Sequence, residues 1–117
     1  MKASSLREHV TSERCYIAEN YSDEFVSVAQ ARVEPGITTV AHHLDGINEL
    51  YLFVCGQGQL DVGDLEPAKV CAGDLIVIPA GTSQRITNIG KNDLIFYCVC
   101  TPKFTAESYH DEEQETT

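Results

Sequence analysis

Turn-forming residues interrupt this chain before any run between them can grow into a long helix. Pro35-Gly36, Asp45-Gly46, Gly56-Gln57-Gly58, Gly63-Asp64, Ala72-Gly73-Asp74, Pro79-Ala80-Gly81 and the stretch from Asn88 to Asn92 each break the sequence. Glycine admits positive φ and proline presets a turn, so such clusters end regular structure where they stand. Between them lie roughly eight short runs rich in strand-forming residues, and no amphipathic helix longer than about two turns fits. That pattern predicts an all-β chain, a sandwich or barrel of jelly-roll type, whose closure hides the sheet edges that so many strands create.

The predicted strands follow in order. A short one runs from Arg14 to Ala18, and a polar break from Asn20 to Glu24. Phe25 to Val33 alternates, with Phe25, Ser27, Ala29 and Ala31 on one face and Val26, Val28, Gln30 and Arg32 on the other. Thr38 to His43, Glu49 to Cys55, Gln59 to Val62, Lys69 to Cys71, Leu75 to Ile78, Ser83 to Asn88 and Asp93 to Cys100 complete the set, and Pro102 ends the last. Residues 1–12 read as loose and 13–104 as a single barrel domain. Residues 105–117 read as an acidic tail, with one helical turn over 105–110 and disorder beyond.

At 117 residues and 43% hydrophobic content the chain has enough material for one core. Eighteen acids against eight bases give a net charge of −10, which argues against nucleic acid and anionic membrane surfaces as partners. Five cysteines, Cys15, Cys55, Cys71, Cys98 and Cys100, show no paired CxxC spacing, so a zinc ribbon or finger is not supported. An odd count and an N-terminus without an apolar signal core predict a cytoplasmic protein with reduced thiols. No run approaches the length of a membrane-spanning helix.

Chemistry gathers between Gly36 and Gly56. His42 and Glu49 stand inside apolar sequence on either side of a turn, as ligand-type side chains on two antiparallel strands aimed at one face. Alternation sends Leu44 to the same side as His42 and sends His43 to the other, as a surface or interface histidine. Tyr51 and Phe53 share a face with Glu49, and Ile86 and Asn88 share one with Gln84. Cys98 and Cys100 face one way, Tyr97 and Val99 the other; which pair points inward is left open by alternation alone. Arg85, beside Gln84, is expected to point outward into a salt bridge or an interface.

Two spaced motifs carry a resemblance. In the first, Gly36 is followed by five residues, His42, one residue, Leu44, four residues, Glu49, six residues and Gly56. In the second, Gly73 is followed by five residues, Pro79, Ala80, Gly81, two residues, Gln84, three residues and Asn88. This spacing resembles that of the cupin superfamily, in which the positions of His42, Leu44 and Gln84 are histidines and that of Glu49 is a glutamate. The resemblance implies a small single-domain double-stranded β-helix and a pocket for a divalent metal. Because Leu44 and Gln84 depart from the pattern, the implied ligand set is reduced to His42, Glu49 and Gln84, for zinc, manganese, nickel or iron. In a partly apolar pocket Glu49 is expected to act as general base with His42 as its partner, and Tyr51, Gln84 and Asn88, sharing its faces by alternation, to contact substrate. Cupins include dioxygenases, sugar isomerases and epimerases, decarboxylases and lyases. With one histidine left, the expected function is Lewis-acid or acid/base chemistry, such as isomerisation of a sugar or oxygen-rich metabolite. The alternatives are a non-catalytic barrel that binds a small ligand and a metal-dependent dioxygenase. A homodimer is expected, paired through the strand-rich segment from Arg14 to Val33. In a metal-free pocket, His42 and Glu49 would pair and Gln84 would satisfy their spare hydrogen-bonding groups.

Overall fold

The computed structural model describes residue 2 and residues 7–113. Its strands are β1 (His9–Val10), β2 (Tyr16–Ser22), β3 (Ser27–Val33), β4 (His42–Leu44), β5 (Asn48–Cys55) and β6 (Gln57–Val62), followed by β7 (Ala68–Cys71), β8 (Leu75–Ile78), β9 (Gln84–Asn88), β10 (Leu94–Thr101) and β11 (Tyr109–Asp111). A single 3-10 turn spans Ala106–Ser108. One sheet has the order β1-β2-β3-β10-β5-β8 and the other β11-β4-β9-β6-β7, with every pairing antiparallel. Two sheets face to face, with a chain that crosses repeatedly between them, make the expected jelly roll.

The turn chemistry sets most boundaries. Gly36, Gly46, Gly56, Gly63, Gly73 and Gly81 all have positive φ, so the glycines that punctuate the sequence are the ones that turn the chain. Where the expectation fails, a partner decides. The predicted break at 20–24 is partly strand, because β2 continues to Ser22 along β3 with a shift of register between Glu19 and Tyr21. The predicted strand from Thr38 to His43 is reduced to an isolated bridge, Thr38 to Thr87, and the short β4. Gly58 lies inside β6 instead of in a turn, where an added Cβ would stand 2.8 Å from the Leu94 side chain.

The ends also differ from expectation. His9 and Val10 pair with Ile17 and Tyr16, so the loose segment is already strand by residue 9. The tail is ordered as far as residue 113: β11 pairs with β4, and Glu112 N–H donates to the Ala41 carbonyl at 2.9 Å. The acidic composition of this stretch suggested a solvated tail, but its carboxylates find fixed partners, among them Arg14 for Glu113. Residues 114–117 lie outside the described residues.

Size changes along the inward faces place the core and leave a hollow. At one end of the sandwich Val33 faces Leu94 across β3 and β10, and Leu60 faces Ile86 across β6 and β9, all of them buried. Phe53 and Phe96 pack at 5.0 Å between ring centroids, and Tyr51 lies 4.6 Å from Phe96. Towards the other end the inward residues of β3 and β10 shrink to Ala31, Ala29 and Ser27 and to Cys98 and Cys100. Close packing needs volume from both sheets, and five small side chains in register do not supply it. The result is a cavity of about 250 Å³ between the sheets.

Gly56 shows how tightly the filled end closes. Its φ is +89°, and a Cβ added there would meet the Asp93 carbonyl oxygen at 2.6 Å and Leu94 Cα at 2.9 Å, both backbone atoms. At Gly36 φ is +80° and nothing lies within 4 Å. Gly36→Ala should cost about 1 kcal/mol through backbone conformation alone, and Gly56→Ala about 2 kcal/mol or more because the start of β10 must move. Denaturant unfolding of the two variants side by side measures the difference; equal losses would contradict the close approach at Gly56.

Candidate functional site

Register brings the site together from four strands. Glu49 and Tyr51 are inward residues of β5, and β10 sets Cys100 opposite Glu49 and Cys98 opposite Tyr51. In the other sheet His42 of β4 pairs directly with Gln84 of β9. All of these except the half-buried Cys98 are buried. The imidazole, the acid and the amide marked by the sequence therefore converge from both sheets.

Tyr51, Gln84 and Glu49 are hydrogen-bonded in series. The Tyr51 hydroxyl donates to Gln84 Oε1. Gln84 Nε2 donates to Glu49 Oε1 at 2.8 Å, and the Cys100 thiol lies 3.7 Å from Glu49 Oε2. His42 is held separately: its Nδ1 is 2.8 Å from the Val40 carbonyl oxygen. A carbonyl oxygen only accepts, so Nδ1 carries a hydrogen and Nε2 is the remaining acceptor of the neutral ring. The Tyr109 ring stacks on His42 at 4.8 Å, and its hydroxyl is buried with no hydrogen-bond partner among the described residues.

Burial dominates the protonation of the site. Desolvation lifts the Glu49 carboxyl above its ordinary value, against the opposing pull of the Gln84 amide and of His42. Desolvation also raises the thiols of Cys15 and Cys100 to about 12 and that of Cys98 well above its usual range. These thiols stay protonated near neutral pH and are poor nucleophiles. Glu49 is thus the carboxyl of the cavity whose protonation burial is shown to alter.

The cavity wall contains more than the sequence indicated. Glu13, Cys15, Ile17 and Glu19 line it from the N-terminal side, with Cys98 and Cys100 opposite the small residues of β3. Glu13, Cys15, Ile17 and Glu19 recur with period two, the one local sign that they share a face. Cys98 and Cys100, left open by alternation, prove to be the inward pair. The carboxylates of Glu13, Glu19 and Glu49 stand on the wall, and no Lys or Arg does among the described residues. Leu44 extends the apolar lining. Tyr51 also lines the cavity, but Gln84 sits behind it and Asn88 falls outside the lining. The Asn88 amide donates to the Val33 and Asn92 carbonyls, and its oxygen accepts from Gly90 N–H, so its polar atoms hold the 88–92 turn. Arg85 points outward to Asp61 at 2.8 Å, and His43 lies on the far side of β4 from the cavity, against Glu112.

The family's ion requires donors that this cavity lacks. Leu44 offers none, and the only ligating atom of Gln84 already accepts from Tyr51. Glu49 has one oxygen on the Gln84 amide and the other beside the Cys100 thiol. Among the described residues, the ligand-type atoms grouped closely enough to hold an ion include neither His42 nor Glu49. Of the expected ligands, Glu49 and Gln84 are hydrogen-bonded to each other while His42 is held by the Val40 carbonyl, and one imidazole, one carboxylate and an amide oxygen already engaged by Tyr51 do not fit a divalent metal centre of the family type.

Residues 29–100 match the family described as the cupin domain. The chain belongs to this family. It is 35% identical over 81 residues to the uncharacterized protein MJ1618 of Methanocaldococcus jannaschii, a match covering 69% of this chain and 64% of that protein. Among solved structures, a predicted oxalate decarboxylase of Thermotoga maritima superposes with a TM-score of 0.78 at 23% identity, covering 87% of this chain and 99% of that one. Streptomyces PAC13, solved with uridine, gives 0.79 at 18% identity over 95% and 88% of the two chains. A Klebsiella pneumoniae protein with a double-stranded β-helix domain gives 0.76 at 16% identity over 86% of each. At these identities the structural likeness establishes the shared cupin fold. All five cysteines are free thiols, and among the described residues no helix is long and apolar enough to cross a membrane.

The buried acid has a consequence for stability. Because its folded-state pKa lies above the unfolded value, the native protein holds the Glu49 proton more tightly, and stability falls as pH rises from about 4.5 through the raised value. Glu49→Gln removes that loss. The variant and parent should unfold with similar free energies near pH 4, while at about pH 8 the variant should be more stable, by roughly 1.4 kcal/mol for each unit of the shift. Parallel stability curves across this range would mean that the carboxyl is not desolvated.

Proposed function

We propose that this cupin binds a small, neutral, hydroxyl-bearing metabolite in its cavity and uses Glu49 for proton transfer, as in the isomerisation of a sugar. The observation that carries the reading is a buried carboxylate on the wall of a hollow that has three glutamates and, among the described residues, no Lys or Arg. A carboxylate or phosphate ligand entering there would meet like charge and no Lys or Arg to pair with it. At about 250 Å³ the hollow is slightly smaller than the ~300–1,000 Å³ pockets of drug-sized ligands, and suits a small metabolite.

Each residue then has a definite task. Glu49 takes the proton from a carbon next to a carbonyl or returns it, and an acid raised by burial is suited to both directions. Gln84 holds the Glu49 oxygen in place and is itself held by Tyr51, so the carboxylate cannot rotate freely. His42, with its hydrogen committed to Val40, presents Nε2 as an acceptor for a substrate hydroxyl. The protonated thiols of Cys98 and Cys100 make the wall polarisable without adding charge.

The second reading is a binding barrel without turnover. It is favoured by the engagement of both Glu49 oxygens, which leaves a base with little spare capacity. A panel of neutral aldoses and ketoses, their phosphates, and oxalate, followed by thermal shift and by proton–deuterium exchange in heavy water, separates the readings. Neutral sugars should raise the melting temperature and exchange a carbon-bound hydrogen, and Glu49→Gln should lose the exchange, by about a hundredfold or more, while keeping the shift. Shifts without exchange would leave the binding barrel, and shifts only from oxalate or phosphates would overturn the charge argument.

The proposal includes a homodimer in a reducing compartment such as the cytoplasm, in keeping with the free thiols. Leu52, Val54, Leu75 and Val77 are exposed on the outer face of β5 and β8, and a second copy would cover them. Light scattering should give twice the chain mass for the parent and the single mass for Leu52→Glu combined with Val77→Glu. A monomeric parent would remove the dimer from the proposal.

A further inference from the structure

Outside the cavity, on the opposite side of β4, three ligand-type side chains meet. His43 of β4 and His110 of β11 are cross-strand partners in register, and their rings stack at 5.0 Å with 14° between planes. Asp45, one residue beyond β4, reaches both: its carboxylate oxygens lie 2.7 Å from His110 Nε2 and 3.7 Å from His43 Nε2. The ligand atoms of all three lie within 4.8 Å of one another.

We infer that His43, His110 and Asp45 form a surface site for a divalent transition-metal ion, zinc or nickel by its chemistry, that fastens β11 to β4. Two imidazole nitrogens and one carboxylate oxygen are a donor set suited to these ions. Donor atoms about a tetrahedral zinc stand roughly 3.3 Å apart, given bonds of ~2.0–2.1 Å; the three ligand atoms here lie within 4.8 Å of one another, so modest side-chain rotations close them on an ion. The ion takes the place of the hydrogen shared by His110 Nε2 and Asp45.

The hydrogen bonding of His43 already leaves Nε2 as the nitrogen available to an ion. Its Nδ1 is 2.8 Å from Glu112 Oε2, and the other Glu112 oxygen accepts from the Ser83 hydroxyl at 2.8 Å. A carboxylate on one ring nitrogen fixes the tautomer and turns the other nitrogen to the metal, as in many histidine metal centres. Asp45 has its own backbone fixed, since its N–H donates to the Ser108 carbonyl at 2.9 Å. The site is open on the solvent side, where the Asp45 side chain is 62% exposed, so a water or an external ligand completes the shell.

Position gives the site its reach. Tyr109, next to His110, lies on the other face of β11 and stacks on His42 at 4.8 Å. An ion between His43 and His110 therefore fixes the strand whose neighbouring ring covers a cavity residue. This inference does not depend on the chemistry proposed for Glu49, because no donor is shared.

Calorimetric titration of the chelator-treated full chain with zinc chloride, and then with nickel chloride, tests it. The expected result is one ion per chain, with affinity reduced at least about tenfold in His110→Ala and in Asp45→Ala, weakened in Glu112→Ala, and unchanged in Glu49→Gln. On the parent protein, zinc should broaden or shift the ring signals of His43 and His110 in NMR and leave those of His9 unmoved, and hydrogen exchange at 109–111 should slow. No binding, binding indifferent to His110→Ala and Asp45→Ala, or binding lost in Glu49→Gln would each overturn the site. The NMR measurement decides the matter even where a variant folds poorly.

Discussion

The interior of a two-sheet protein has to be filled, and in this one the filling stops part-way along three neighbouring strands. Val33, Phe53 and Leu94 close one end, while Ser27, Ala29, Cys98 and Cys100 leave the other hollow. The setting of the buried polar residues follows from that step in side-chain size. The hollow desolvates Glu49, and desolvation sets its affinity for a proton. The same hollow demands that each polar group on its wall find a partner within the protein, which is why Glu49, Gln84 and Tyr51 are bonded in series.

Much of this was legible in the residues. The turn glycines and prolines marked the ends of the strands, and alternation put His42 inside and His43 outside. The two spaced motifs pointed to the family and to the convergence of His42, Glu49 and Gln84. What alternation supplied was always relative: it said that Cys98 and Cys100 share a face without saying which face. That answer came from register, through the pairing of Cys100 with Glu49. A spacing motif likewise marks a position and says nothing of what the residue there is bonded to. Asn88 holds its motif place, yet it serves a turn.

The C-terminal segment was read least well, for a physical reason. Tyr109, His110 and Asp111 form too short a run to carry a periodic signal, and the acids around them suggest solvation. Their order comes from β4, Ala41 and Arg14, which stand far away in the chain. Glu13 escaped notice for a similar reason, as a charged residue in a polar stretch whose inward direction is set by the turn that follows Thr11.

Arg14 joins these two overlooked regions. Its guanidinium grips both oxygens of Glu113 and donates to the Thr38 carbonyl, while its neighbours Glu13 and Cys15 line the hollow. The segments around residues 14 and 113 are thus latched to each other beside the pocket rim. Loss of the Glu113 carboxylate would be felt at Arg14 and, through its neighbours Glu13 and Cys15, by whatever occupies the interior.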